Sequence, residues 1–374
     1  MRDFDAIAVG GGLAGSAFAL EMARQGARVA VIERTRGPTL KVCGDFLSAE
    51  VQALLHYLGL DIKEMGAARI ATLRLVTGER TAQAELPFAA AGLSRLALDE
   101  ALLAAAKAAG VDVIRGATVT EIATTGDGVR LRAGDRIFAA RCAALASGKH
   151  NVKGWPRRKG VMTAYKISLT PSEHAVRALD GIVQLVSYRG GYIGACTIED
   201  GNATICWLMD QDAMRALGAD WRTHLDHLAR QSSAVGDLLC GARFLSARPA
   251  TVSAIPYGYT RRTAIAPNVY GIGDQLCVIP SFTGDGTSLA LSSGLAAAHA
   301  VLSGTPAQDF HTAYLAGTRA QLRWARVVDA TFKSAPSRRL SVAATAAVPS
   351  LARLAANLTR LRGVDVLARE DSAR

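Results

Sequence analysis

The sequence predicts an α/β protein with a discontinuous Rossmann-like dinucleotide-binding domain, an inserted antiparallel β-sheet domain and C-terminal helices. Three observations carry this prediction. The first stretch of about 30 residues reads as strand, glycine turn, helix and strand, the size of a βαβ unit. A series of short β-type segments fills the middle, and a second glycine-rich turn opens a helix near residue 286.

In the opening unit, 5–9 is an apolar run suited to a buried strand, broken by three glycines. An alanine-rich helix pattern over 13–25 stops at Gly26, and a second apolar run over 28–32 ends at Glu33. Gly10, Gly12 and Gly15 fit GxGxxG. Gly10 serves the tight turn, Gly12 the backbone approach to a pyrophosphate, and Gly15 the close helix-to-strand packing. The helix start behind them offers free N–H groups and a positive dipole end to phosphates. Glu33 stands where a carboxylate accepts hydrogen bonds from ribose hydroxyls, and it would repel a 2′-phosphate. Arg34 can stack on adenine or remain in water.

Further along, 48–58 reads as a helix with Ser48 as N-cap, 69–76 and 80–86 as strands, and 95–109 as a helix closed by Gly110. Strands are predicted over 117–124, 128–132, 136–146, 161–169, 183–187, 192–198 and 203–209, then a helix over 212–232. The run 269–272 leads into a helix over 286–302. The region 308–362 reads as helical with breaks near Pro336 and Pro349. The domain assignment is 1–150 with 265–335 for the dinucleotide domain, 151–264 for the β-sheet substrate domain, and 336–374 for a helical tail.

Composition narrows the partners. Half the residues are hydrophobic and a fifth charged, with a formal net charge of +11. That charge suits anionic ligands, but no zinc-finger spacing, basic heptad or aromatic RNA-binding signature accompanies it, which argues against nucleic acid. Cysteines 43, 142, 196, 206, 240 and 277 form no CxxC pair, and no histidine grouping completes a metal site, so no metal is expected. Neither a leader pattern at the first residues nor an 18-residue uncharged apolar run is read, so the expected location is cytoplasmic. The arginine-rich tail from Arg319 reads first as a solvated helix face. It also fits peripheral contact with an anionic inner membrane.

Up to this point NAD and FAD are both open. The far end of the chain decides between them. An apolar strand ends in Gly273-Asp274, and Gly284-Asp285-Gly286 opens a helix that can aim N–H groups at a flavin's pyrimidine edge. With the GxGxxG turn, Glu33, Ser94-Arg95 through Leu98-Asp99, Ser292-Ser293-Gly294 and Ala296-Ala297, the chain resembles the para-hydroxybenzoate hydroxylase-type FAD superfamily, in its geranylgeranyl reductase-like branch. The resemblance implies FAD as cofactor, Arg95 at its phosphates and the Val119 backbone at adenine. It also implies Gly273, Asp274, Gly284, Asp285 and Gly286 around the flavin half. The segment 41–46 resembles the branch's CG segment, which runs beside the flavin, so Cys43 reads as a contact to flavin or substrate or as a small buried thiol, and it joins Gly284 and Gly286 of the second glycine turn as the candidates for chemistry. Asp45 reads as a helix-start acid or a proton donor. Departures are 146–150, which lacks the hydroxylases' acid, Ser288 where asparagine is usual, and the absence of a halogenase-type tryptophan pair.

Tyr192, Trp207 and Phe282 are candidate aromatic walls of a hydrophobic or aromatic substrate's pocket, with a plain core role the stronger reading for Trp207. With one dinucleotide fingerprint, NADPH or NADH would visit only transiently as reductant. The leading expectation is a monooxygenase hydroxylating an aromatic or polyketide-like molecule with NAD(P)H and O2. The alternatives are a geranylgeranyl reductase-like enzyme saturating isoprenoid C=C bonds, and a non-catalytic flavoprotein module.

Overall fold

The computed structural model describes residues 3–126, 128–264 and 266–361. Its first sheet runs in the order Asp112–Arg115, Val29–Glu33, Phe4–Val9, Arg136–Leu145, Gly128–Ala133, Val119–Thr125. Val269–Gly271 also pairs with Arg136–Leu145, in parallel. The first four strands are parallel to one another, and the last two form an antiparallel extension. Phe4–Val9 and Val29–Glu33 are buried almost throughout, which is why they read as unbroken apolar runs rather than alternating ones. The helix Leu13–Arg24 is buried from Leu13 to Met22. It lies so close to the helix Gly286–Leu302 that a Cβ on Gly294 would stand 2.4 Å from the Ala14 carbonyl oxygen. The distant glycine-rich segment and the N-terminal unit are thus one layer.

The second sheet runs Arg243–Phe244, Met162–Thr170, Ala203–Met209, Gly191–Thr197, Ile182–Tyr188, Ala68–Thr77, Arg80–Gly92, Phe46–Leu47, with Ala250–Ile255 also on Met162–Thr170. Two features of this sheet go beyond the expectation. The strands near 70 and 80 fall inside the 1–150 span assigned to the dinucleotide domain, yet they complete the second sheet. That sheet is also not purely antiparallel, because Ile182–Tyr188 joins Ala68–Thr77 in parallel. Alternation in a sequence identifies strands without saying which sheet they join.

Other differences are local. The helix expected over 212–232 is three: Gln211–Leu217, Trp221–Gln231 and Ser233–Leu239. Gly218 ends the first in a positive-φ conformation, and the Asp220 carboxylate caps the second. Asp112–Arg115, Glu173–Leu179 and Ala250–Ile255 were not anticipated. Ser48 occupies the N-cap of Ala49–Tyr57 without its hydroxyl making a cap bond. The C-terminal region forms Ala307–Gly317, Arg319–Thr331, Ala335–Ala347 and Ser350–Leu358. The helices break at 332–334 and 348–349, near the two prolines, and Pro336 sits in the first turn of its helix, where a missing N–H costs nothing. Residues 362–374 of the expected tail lie outside the described residues.

Candidate active site

The glycine turn is built by close approach. Gly10 adopts φ +110°, and a Cβ there would meet the Ala146 carbonyl oxygen at 2.6 Å. A Cβ on Gly15 would stand 1.9 Å from the Gly10 oxygen, so this position sets the helix-to-strand distance. Gly12 differs: the nearest atom to an added Cβ is an Arg95 guanidinium nitrogen at 3.7 Å, and the residue lines a cavity. Its missing side chain leaves open space in front of the helix start.

That cavity, about 560 Å³, lies between the two sheets and the C-terminal helices. On the glycine-turn side it is lined by Gly12, Cys43, Arg95, Lys149, Gly273, Asp274, Gly284, Gly286 and Thr287. On the other side stand Leu73, Leu75, Leu185, Tyr192, Leu208 and Tyr257 from the second sheet and the segment after it. Trp324, Val327, Val328, Phe332, Leu351 and Leu354 come from the C-terminal helices.

The polar side is tightly organised. Arg95 opens the helix Arg95–Ala108 and grips Asp99 one turn on through two bonds of 2.6 and 2.9 Å. Asp274 pairs with Lys149 at 3.2 Å. The backbone N–H of Gly273 donates to Ser293 Oγ at 2.8 Å, tying the Gly-Asp turn to the helix Gly286–Leu302. Gly284 closes a short 3₁₀ turn at φ +76°, and a Cβ there would lie 2.9 Å from the Phe46 ring. Nothing stands within 4 Å of a Cβ built on Gly286, so the first turn of this helix faces open cavity. Cys43 Sγ lies 4.0 Å from Thr287 Oγ1 at the same helix start.

Glu33 is buried, with one carboxylate oxygen accepting from the Gly11 N–H at 2.8 Å and the other from the Thr35 N–H and hydroxyl. Burial works against its charge, but these bonds, with Lys41, hold it below the ordinary carboxylate range. Although it ends its strand, Glu33 is thus part of the core and organises the glycine turn itself. Arg34 is exposed and donates to the His150 ring at 2.7 Å. Val119 is buried at the start of its strand, packed among Phe4, Ile7 and neighbours, and does not line the cavity.

Among the proposed aromatic walls, Tyr192 and Phe282 meet edge to face at 5.1 Å and line the cavity. Trp207 does not. It is fully buried on the opposite face of the second sheet, stacked on Tyr165 at 4.9 Å. Cross-strand pairing gives the reason: Tyr192 opposes Leu208, while Trp207 opposes Ile193, and opposed residues share a face.

Three features were not anticipated. The Tyr192 hydroxyl meets Ser281 Oγ at 2.5 Å, and Tyr257 meets the same oxygen, giving a hydroxyl cluster in an otherwise apolar lining. Burial pushes both phenols above their ordinary range, so they stay protonated. Asp45 and Lys166 form a fully buried ion pair of 2.6 Å. Arg360, just past the last helix, reaches Asp285 at 2.8 Å, Glu50 at 3.5 Å and the Thr283 carbonyl. Among the described residues no group of histidines, cysteines and carboxylates could hold a metal ion, and no helix is long and apolar enough to cross a membrane.

Residues 3–137 match the model of a family described as FAD binding domain. Protein FixC of Escherichia coli (strain K12) is 27% identical over 366 residues, covering 85% of this chain and 81% of the relative. The flavin-dependent brominase Bmp2 superposes with a TM-score of 0.81 at 16% identity, over 99% of this chain and 98% of that one. The halogenase PltM in complex with phloroglucinol and FAD gives 0.70 at 14%, over 100% and 93%. Residues 3–137 are thus similar to an FAD binding domain, and the whole chain shares the fold of these flavin-dependent halogenases.

Because Gly286 is open to the cavity, Gly286→Val should fold. By crowding the helix start it should lower the reduction potential of a flavin held against it, since N–H groups and dipole there would stabilise negative charge on the reduced ring. A redox titration matching wild type would remove this helix from the flavin site.

Proposed function

We propose that the protein is an FAD-dependent monooxygenase that hydroxylates a phenolic ring bearing an apolar substituent, using NADPH or NADH as a transient reductant. The observation that carries this reading is the hydroxyl cluster of Tyr192, Ser281 and Tyr257. It stands on the apolar side of the cavity, and its Ser281 lies on the segment that leads directly into Gly284–Gly286. A phenol oxygen can exchange hydrogen bonds with that cluster while Phe282 and Tyr192 flank the ring. The substituent then extends along Leu73, Leu75, Val327 and Leu351. The phloroglucinol held by the PltM halogenase, itself a phenol, is consistent with such a substrate in this fold.

The residues fit FAD. Gly12 leaves its approach open, Arg95 stands beside that opening, and Gly286 presents an uncrowded helix start. Bound there, FAD would supply the electron transfer and oxygen activation. The protein's own part is to bind, orient and exclude water. Arg95, Lys149 and the two helix starts provide positive potential for phosphates and the pyrimidine edge, and the C-terminal helices cover the apolar side.

The test is NAD(P)H oxidation with and without alkyl-substituted phenols, followed by oxygen uptake and product mass. Phenol-stimulated oxygen uptake with gain of one oxygen atom is expected. Tyr192→Phe should raise KM about tenfold, the loss of roughly one hydrogen bond, and change kcat less. No oxygen uptake with any phenol, together with oxygen-independent saturation of an isoprenoid C=C bond, would replace this reading with the reductase one. Absence of any turnover would leave a binding module.

A further inference from the structure

Asp45 and Lys166 lie in distant parts of the sequence and meet fully buried, carboxylate to ammonium, at 2.6 Å. Asp45 also holds a left-handed backbone, φ +55°, a conformation that disfavours most residues with a Cβ. Taking two charges out of water costs free energy that their attraction does not reliably return, so such a pair is weak as a stabilising device. Its position is more telling than its strength.

Asp45 is a junction. Its Oδ1 accepts from the Arg95 N–H at 3.1 Å, and its carbonyl oxygen from the Leu93 N–H at 3.0 Å, fixing the entry to the helix that carries Arg95. The neighbouring Gly44 carbonyl accepts from Cys196 Sγ at 3.4 Å. Lys166 belongs to the strand Met162–Thr170 of the second sheet, opposite Cys206, whose side chain lines the cavity. One carboxylate therefore joins three things: the Cys43–Gly44 wall of the cavity, the start of the Arg95 helix and the floor of the substrate sheet.

We infer that Asp45 and Lys166 are a positioning pair that holds the Cys43–Gly44 wall and the Arg95 helix in register, so that the flavin and pyrophosphate ends of one FAD are gripped together. The inference rests on the FAD reading above. Neither residue is exposed to the cavity, and both act through Cys43, Gly44 and Arg95.

The experiment compares wild type, Lys166→Met and Asp45→Asn/Lys166→Met as purified full-length proteins. Asparagine tolerates the left-handed backbone and keeps the acceptor for Arg95, so the double variant removes only the ionic link to the sheet. Thermal melting, FAD titration of the apoprotein and stopped-flow flavin reduction by NAD(P)H are measured. Lys166→Met should lose stability, because it leaves a buried carboxyl without its counter-charge. The double variant should regain most of the melting temperature, yet bind FAD about tenfold more weakly and reduce it about tenfold more slowly, as expected for a misplaced reacting group. A pair that serves only the fold predicts that the double variant recovers all three, and that result overturns the inference. If the double variant does not fold, Cys196→Ala decides. It loosens the same wall, and it should slow flavin reduction with little change in melting temperature; a wild-type rate overturns the inference. Failure of wild type itself to bind FAD would instead sink the cofactor reading, a separate result.

Discussion

Gly12→Val is expected to purify as a folded but colourless protein, while wild type is yellow with bound FAD and Gly15→Val fails to accumulate as folded protein. The two glycines sit three residues apart in one motif but meet opposite surroundings. A Cβ on Gly15 would lie 1.9 Å from a backbone oxygen, which cannot move without parting the first helix from the first strand. A displacement of that kind costs about 3 kcal/mol or more, a large fraction of the stability of an ordinary domain. A Cβ on Gly12 meets only an arginine tip at 3.7 Å, so the fold is untouched. The branched side chain instead fills the space in front of the helix start, where a pyrophosphate must approach the N–H groups. Loss of at least about 100-fold in affinity, ~2.7 kcal/mol, should follow. Circular dichroism reports the fold, and fluorescence titration of the apoproteins with FAD reports binding. A yellow Gly12→Val protein with wild-type affinity would show that no dinucleotide approaches the turn.

The contrast between these glycines also shows what the sequence could convey. The motif was legible because Gly10 and Gly15 answer local steric demands within a βαβ unit whose apolar runs are continuous, and Gly12 keeps the standard spacing between them. The pairing of that unit with the helix Gly286–Leu302 was legible too, through Gly273-Asp274 and the second glycine turn. What escaped depended on contacts between distant segments. Lys166 lies in an apolar strand pattern and gives no local sign that its partner is Asp45. Trp207 and Tyr192 both looked like pocket walls because each is an aromatic residue on a β-type segment. Only the cross-strand register puts them on opposite faces of the sheet. The cluster of Tyr192, Ser281 and Tyr257 joins three separate segments, one of them a 3₁₀ turn with no periodic signature. The split of the helix expected over 212–232 was different in kind: Gly218 and Asp220 are ordinary stop and start signals, outweighed by the apolar periodicity around them.

Arg360→Ala is expected to destabilise the protein by about 3–5 kcal/mol above pH 8, and by much less near pH 5. Asp285 is fully buried at the N-cap of the helix Gly286–Leu302, and burial pushes its pKa up to about 7 from an ordinary 3.8, against the opposing pull of Arg360. Because the folded value exceeds the unfolded one, this carboxyl contributes stability that is complete below about pH 4 and is lost as pH rises through about 7. Removing Arg360 removes the main group holding that value down, so the folded pKa climbs further and the loss continues at higher pH. Near pH 5 Asp285 is protonated in both proteins, and the variant loses mainly packing against Phe88, whose ring the guanidinium faces at 5.3 Å, and the weaker contact to Glu50. Above pH 8 wild type keeps its paired carboxylate, whereas the variant must bury an unpaired charge or take up a proton. The consequence reaches the cavity, because Arg360 follows the helix Ser350–Leu358 and also holds the Thr283 carbonyl, joining the cover of the apolar side to the turn beside Gly284. Chemical denaturation of both proteins from pH 5 to 9 measures the gap. A gap that is constant across that range would show that Arg360 does not act through Asp285.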